Sequence, residues 1–84
     1  PGAWWKAGLH AEDRPRVLRD IETVVASHDG REWQSEYRFR RADGTFAHIV
    51  DRGFVMRDAD GRAVRMVGAM EDVSAQRELE ERLR

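Results

Sequence analysis

Two Asp-Gly dipeptides, Asp43-Gly44 and Asp60-Gly61, constrain the fold of this chain more than any other feature. Each supplies the positive backbone φ of a tight antiparallel connection. Residues 32–41 read Glu-Trp-Gln-Ser-Glu-Tyr-Arg-Phe-Arg-Arg, with Trp33, Tyr37 and Phe39 on one side of an extended backbone and charged groups on the other. Residues 45–57 form a second run and residues 62–73 a third, so the order predicts a three-stranded antiparallel meander. Read as a two-residue turn, Asp43-Gly44 pairs Phe39 with His48 and Tyr37 with Val50. That register gathers Trp33, Tyr37, Phe39, Phe46, Val50 and Phe54 on one face and leaves Glu36, Arg38, Arg40, Ala47, Ile49 and Val55 on the other. The third run is apolar on both sides: Val64, Met66 and Met70 alternate with Val67, Ala69 and Val73. Such a strand predicts cover from two directions.

Helical patterns flank the strands. Trp4 and Trp5 give residues 1–8 too much aromatic surface for a solvated tail, so this segment is expected to pack on the body. A helix is predicted over residues 13–27, with Asp13 as its cap and Pro15 tolerated in a first turn whose amides lack intrahelical partners. Val17, Leu18, Ile21, Val24 and Val25 recur at helical spacing as its apolar stripe. Asp29-Gly30 supplies its stop. After the third strand, Ser74 is placed to cap a charged helix over residues 74–84. Glu78/Arg82, Glu80/Arg84 and Arg77/Glu81 fall there at i,i+4 spacing. Gln76, Leu79 and Leu83 fall at a, d and a of a heptad that has only just begun.

At 84 residues the chain is one domain at most, and a small one. It has no cysteine, which excludes disulfides and thiolate metal sites. Its 15 basic and 16 acidic residues are interspersed and leave a net charge of −1, without the basic excess of a nucleic-acid binder. No apolar run approaches the length of a membrane span, and no signal-peptide pattern opens the sequence.

Glu36-Tyr37-Arg38, Arg41-x-Asp43-Gly44, Gly61, Gly68 and Asp72-Val73-Ser74, in this order and spacing, resemble the C-terminal portion of a PAS sensor domain, the PAC motif. Asp72-Val73-Ser74 corresponds to the family's Asp-Ile-Thr. His10-Ala11-Glu12-Asp13-Arg14 is similar to the His-Pro-Glu-Asp-Arg found between core helices of such domains, with Ala11 in place of proline. The resemblance implies an α+β fold: a PAS-like antiparallel sheet with helices on one face and a C-terminal signalling helix. It covers nearly all of this chain but only the C-terminal two-thirds of the family's domain, whose first two strands have no counterpart before Pro1. Residues 1–73 are thus expected to be a partial PAS/PAC domain and residues 74–84 the start of an output helix. The family's first strand would lie beside the third strand here and leave its edge unpaired. Either the segment was cut from a longer chain or another copy fills the gap.

The candidate chemistry is sparse. His10, His28 and His48 are scattered, and none is paired with a further ligand at metal-binding spacing. Some PAS domains hold haem through a core-helix histidine, but this helix offers only His28, at its end. Light-sensing relatives use a cysteine that adds to flavin, and this chain has none. No metal, haem or flavin is therefore expected. His48, where the subfamily often has tryptophan, is expected to face a flanking helix or partner. The family's pocket between sheet and helices would be lined by Val25, Trp33, Tyr37, Phe39 and Met66, which either hold a small molecule or simply fill the core. Glu36 and Asp51, with Arg38 and Arg52, lack a nucleophile or metal cluster beside them and read as surface cross-strand ion pairs. Arg38, Arg40 and Arg41 read as a solvated face. Asp72, Val73 and Ser74 are either the family's signal joint or an ordinary helix cap.

The resemblance implies a non-catalytic sensory and dimerisation module of a signal-transduction protein. A change in its core or dimer contact would pass through Asp72-Val73-Ser74, and then along a coiled coil begun by Gln76, Leu79 and Leu83, to an effector such as a histidine kinase or diguanylate cyclase. The implied partners are a second copy, the downstream effector and an unidentified small molecule, with no nucleic acid and no direct membrane insertion. The implied location is the cytoplasm, with a parent protein that is free to be membrane-anchored. The competing reading is a structural spacer between catalytic domains. A small hydrolase or nucleic-acid-binding domain finds no supporting constellation.

Overall fold

The computed structural model describes residues 2–27 and 30–84. Helices α1 (Gly2–Gly8) and α2 (Arg14–Ala26) precede strands β1 (Glu32–Arg40), β2 (Phe46–Arg57) and β3 (Ala63–Asp72), and α3 (Ser74–Arg82) follows. The strands form one antiparallel sheet in the order β1-β2-β3, so the meander expected from the two Asp-Gly turns is the observed topology.

The register differs by one residue from a two-residue turn. Arg41 N–H donates to the Thr45 carbonyl at 2.7 Å, which closes a three-residue loop. Gly44 takes φ 88°, and the Asp43 carboxylate accepts from Thr45 N and Oγ1 at 2.9 and 2.6 Å. A turn followed by a left-handed glycine is the usual three-residue hairpin solution. Phe39 therefore faces Ala47 and Tyr37 faces Ile49. A slip of one residue moves an entire strand to the other face. Ala47, Ile49 and Val55 are accordingly buried with Trp33 and Tyr37, while Phe46, Val50 and Phe54 lie on the opposite face. The second hairpin repeats the device, with Gly61 at φ 82° and the Asp58 carboxylate accepting from Asp60 N and Arg62 N.

The core lies between the sheet and the first two helices. Leu9, Val17, Trp33, Tyr37, Ala47 and Ile49 form it, with Trp5, Leu18, Ile21, Val24, Phe39 and Met66 packed around them. Residues 9 and 10 fasten α1 along the outer edge of β1: Leu9 bridges Phe39, and His10 N–H donates to the Arg38 carbonyl at 2.9 Å. Val25 is 42% exposed, because it lies one helical step beyond the inward-facing Val24. Asp13 stands at the start of α2 but does not cap it with its side chain. Its carboxylate instead accepts from Arg38, at 2.8 Å from the backbone N–H and at 3.0 and 2.8 Å from the guanidinium. The C-terminal end of α2 is held by Arg57, whose guanidinium donates to the carbonyls of Val24, Val25, Gly30 and Gly61. A cation there satisfies carbonyls that no further helical turn can reach. Asp29 and His28 lie outside the described residues.

Strand β3 departs from expectation. It is exposed along nearly its whole length, and Met66 alone is half-buried. The reason is positional: β3 is an edge of the sheet, and α2 packs on β1.

Candidate functional site

The alternation Ala47, Ile49, Asp51, Gly53, Val55 places a carboxylate in the core-facing row of β2. Asp51 is 7% exposed. Tyr37, on β1, donates its hydroxyl to Asp51 Oδ2 at 2.6 Å and accepts from Trp5 Nε1 of α1 at 2.9 Å. Burial raises the Asp51 pKa, while the hydroxyl of Tyr37 pulls it back. Burial also pushes the Tyr37 hydroxyl well above its usual range, and the Asp51 carboxylate adds to this. Opposite Asp51 on β1, Ser35 is buried and its Oγ accepts from Arg16 Nη1 at 3.4 Å.

Asp51 opens onto a hollow of about 260 Å³, walled by Trp5, Ile21, Trp33, Met66 and Met70. Gly53 and Gly68 form its floor, paired across β2 and β3. Of the residues expected to line a pocket, Trp33 and Met66 do so. Tyr37 stands behind Asp51 as its donor. Phe39 packs farther along the sheet, its ring 5.2 Å from that of Trp4, and Val25 is on the outside of α2.

The second candidate lies where β3 becomes α3. Ser74 does not cap the helix; the cap position is held by Val73. The Ser74 hydroxyl reaches across to β2, accepting from His48 N–H at 2.9 Å and from Arg41 Nη2 at 3.1 Å. Asp72 supplies the local bond, its Oδ1 accepting from Ser74 N–H at 2.9 Å, and those bonds from Ser74 lower its pKa. Arg41 also stands 3.6 Å from Asp72 Oδ2. Val73 is buried and donates its N–H to the His48 carbonyl at 2.9 Å. Arg77, one turn along α3, donates to Glu36 Oε1 on β1 at 2.6 Å rather than to Glu81. Gln76 just before it and Leu79 and Leu83 beyond it are exposed, the leucines at 57% and 78%.

A family model described as the PAS fold matches residues 1–70. The chain belongs to the PAS family. Among solved structures, it is similar to a sensory box histidine kinase/response regulator from Burkholderia thailandensis, at 33% identity and a TM-score of 0.76. That match covers 90% of this chain and 56% of the other. It is also similar to the N-terminal domain of a diguanylate cyclase with PAS/PAC sensor from Marinobacter aquaeolei, at 26% identity and a TM-score of 0.74, over 86% of this chain and 64% of that one. An uncharacterized protein y4lL of Sinorhizobium fredii is 29% identical over 83 residues, which are 99% of this chain and 10% of that protein. This PAS domain thus spans a tenth of its curated relative and less than two-thirds of either solved chain.

The sequence reading missed three features of this PAS domain. Asp51 does not form a surface ion pair, because the odd hairpin loop turns it inward. The visible signal was an aspartate in phase with Ala47, Ile49 and Val55. Glu36 and Arg38 are paired, but with Arg77 and with Asp13 and Glu12 rather than across the sheet to β2. The sequence alone assigns Arg57 no role, and only the tertiary structure brings the carbonyls of Val24, Val25, Gly30 and Gly61 within its reach. His48 is exposed on the outer face and meets the start of α3 through its backbone. The His10 ring lies 4.6 Å from the Phe46 ring, tilted at 56°, and its Nδ1 accepts from Glu12 N–H. Among the described residues, no three histidine, cysteine or acidic side chains gather as a metal site, and no helix is long and apolar enough to cross a membrane. His28 falls outside the described residues.

Proposed function

We propose that this PAS domain is a non-catalytic sensory and dimerisation module of a signal-transduction protein, acting on an effector domain in the same polypeptide. In this reading residues 1–73 sense and residues 74–84 begin the output helix. One observation carries it: a single strand, β2, serves both candidate sites. Asp51 of β2 opens onto the hollow, and three residues away His48 holds the start of α3 through both its N–H and its carbonyl. A shift of β2 under the helices is therefore a shift of the anchor of α3. A switch works between states separated by a few kcal/mol, so bonds of this size are enough to bias it. The similar proteins lend support, since one is named as a sensory histidine kinase and the other as a diguanylate cyclase with a PAS/PAC sensor.

Exposed Leu79 and Leu83 supply the seam through which α3 pairs with a second copy, and a cytoplasmic effector follows it. The test is the output of the parent protein with Asp72→Ala, Ser74→Ala and a one-residue insertion after Arg84, which rotates the seam by about 100°. Altered basal or stimulated output in folded protein is expected. Output that tracks only the amount of folded protein would reduce the domain to a spacer.

A further inference from the structure

The hollow between helices and sheet contains a carboxyl group that the fold leaves without a counter-ion. The ion pairs among the described residues engage Glu12, Asp13, Glu36 and Asp72, and none reaches Asp51. Arg16 comes as near as Ser35, but its guanidinium is held by Ser35 Oγ and the Glu36 carbonyl. Asp51 Oδ2 receives the Tyr37 hydroxyl, and Oδ1 accepts no hydrogen bond among the described residues. A buried carboxylate without a cation is unfavourable, and a cation that enters from outside removes that penalty. Burial raises the Asp51 pKa, the Tyr37 hydroxyl, donating at 2.6 Å, draws it back toward the ionised form, and a bound cation would draw it further.

The surroundings fit one kind of cation. The Trp5 ring stands edge-on to Trp33, with centroids 6.1 Å apart at 83°, and to Tyr37, at 6.0 Å and 78°. Trp5 therefore stands at a near right angle to each of the other two rings, and Trp5 and Trp33 wall the hollow beside the carboxylate. Ring faces attract organic cations, and alkylated ammonium groups are recognised by such corners. Met66 and Met70 add polarizable surface on the β3 side. Trp33 is 5% exposed, and its shielded Nε1–H has no partner among the described residues. A bare metal ion is a poor match, because hard cations take about six or more oxygen ligands and one carboxylate is present here. An anion would meet Asp51.

We propose that this hollow binds a small organic cation, an alkylated or methylated ammonium, with its charge against Asp51 and its carbons against Trp5, Trp33 and Met66. The inference rests on the reading of the domain as a sensor and names the class of molecule it senses.

Choline is the probe, set against its neutral isostere in which a quaternary carbon replaces the nitrogen. Binding to the native chain is followed by titration calorimetry and by the fluorescence of Trp5 and Trp33. Choline should bind roughly tenfold or more tightly than the isostere. Asp51→Asn, which keeps an acceptor for Tyr37, should bring choline down to the isostere's affinity with the circular dichroism unchanged. Equal binding of the two probes to the native chain overturns the cation class and leaves a ligand-responsive domain standing. Silence from both at concentrations on the order of ten millimolar overturns the inference itself, and the sensor reading is then judged by the output assay alone. The comparison of probes needs only the native chain, so it decides the matter even where Asp51→Asn fails to fold.

Discussion

Tyr37 and Asp51 lie on neighbouring strands and meet through a 2.6 Å hydrogen bond inside the core. The two are not directly opposite each other; the bond is diagonal, from the Tyr37–Ile49 pair to the Ser35–Asp51 pair. The bond joins the aromatic corner to the only buried carboxylate of the described residues.

Removing the donor alone should therefore cost more than removing both groups. Tyr37→Phe leaves a buried carboxylate without its hydrogen bond and should destabilise by about 1–3 kcal/mol. Asp51→Asn removes the charge and keeps an acceptor, and should be close to neutral. Urea denaturation of the two single variants and the double variant measures their coupling. Additive effects would mean that the bond contributes nothing of its own.

The pair of Asp13 and Arg38 gives the acid limb of stability. The hydrogen bonds of Arg38 hold the Asp13 carboxyl down at about 2. A depressed acid stabilises the fold fully above its unfolded pKa and loses that contribution as the pH falls through the folded value, here over the interval from 3.8 to about 2. Asp51 has the opposite sign: its raised pKa weighs on the fold once it ionises. Native protein should exceed Asp13→Asn in stability by at most about 2 kcal/mol near neutral pH, and the gap should close toward pH 2. Thermal melts across that range provide the check.

Gly68 and Gly44 should respond to alanine for different reasons. A Cβ on Gly68 would strike the Arg52 carbonyl and come within 3.0 Å of Gly53 Cα, so β2 and β3 would have to separate. Gly68→Ala should cost about 1–3 kcal/mol, as overpacking does. Gly44 meets nothing within 4 Å, but its φ of 88° is unfavourable for a side chain. Its substitution should cost about 1 kcal/mol. Melting temperatures of the two variants test that order.

Self-association should follow from the unpaired edge of β3 and from the seam on α3. Exposed edges are templates for pairing, and Leu79 and Leu83 present apolar surface beyond the point where Arg77 ties α3 to β1. Sedimentation at high micromolar concentration should reveal dimers, and Leu79→Glu with Leu83→Glu should shift them toward monomer. A folded native chain that stays monomeric there would overturn this prediction.

The sequence determined the meander, the helices and their inward stripes, because Asp-Gly turns, apolar periodicity and a proline-bearing first turn are local signals. Val17, Leu18, Ile21 and Val24 needed no tertiary knowledge to be placed. Register was different. One extra residue in the loop closed by Arg41 and Thr45 is invisible in composition, yet it reverses the facing of all of β2, burying Asp51 and exposing Phe54. The roles of Asp13, Ser74 and Arg57 were also settled only by tertiary structure. Each has a plausible local partner, but each side chain reaches a group brought close by a distant segment: Arg38, His48 and the end of α2. Short-range preference sets which elements form; long-range hydrogen bonds, sensitive to a single residue of register, set which side chains meet.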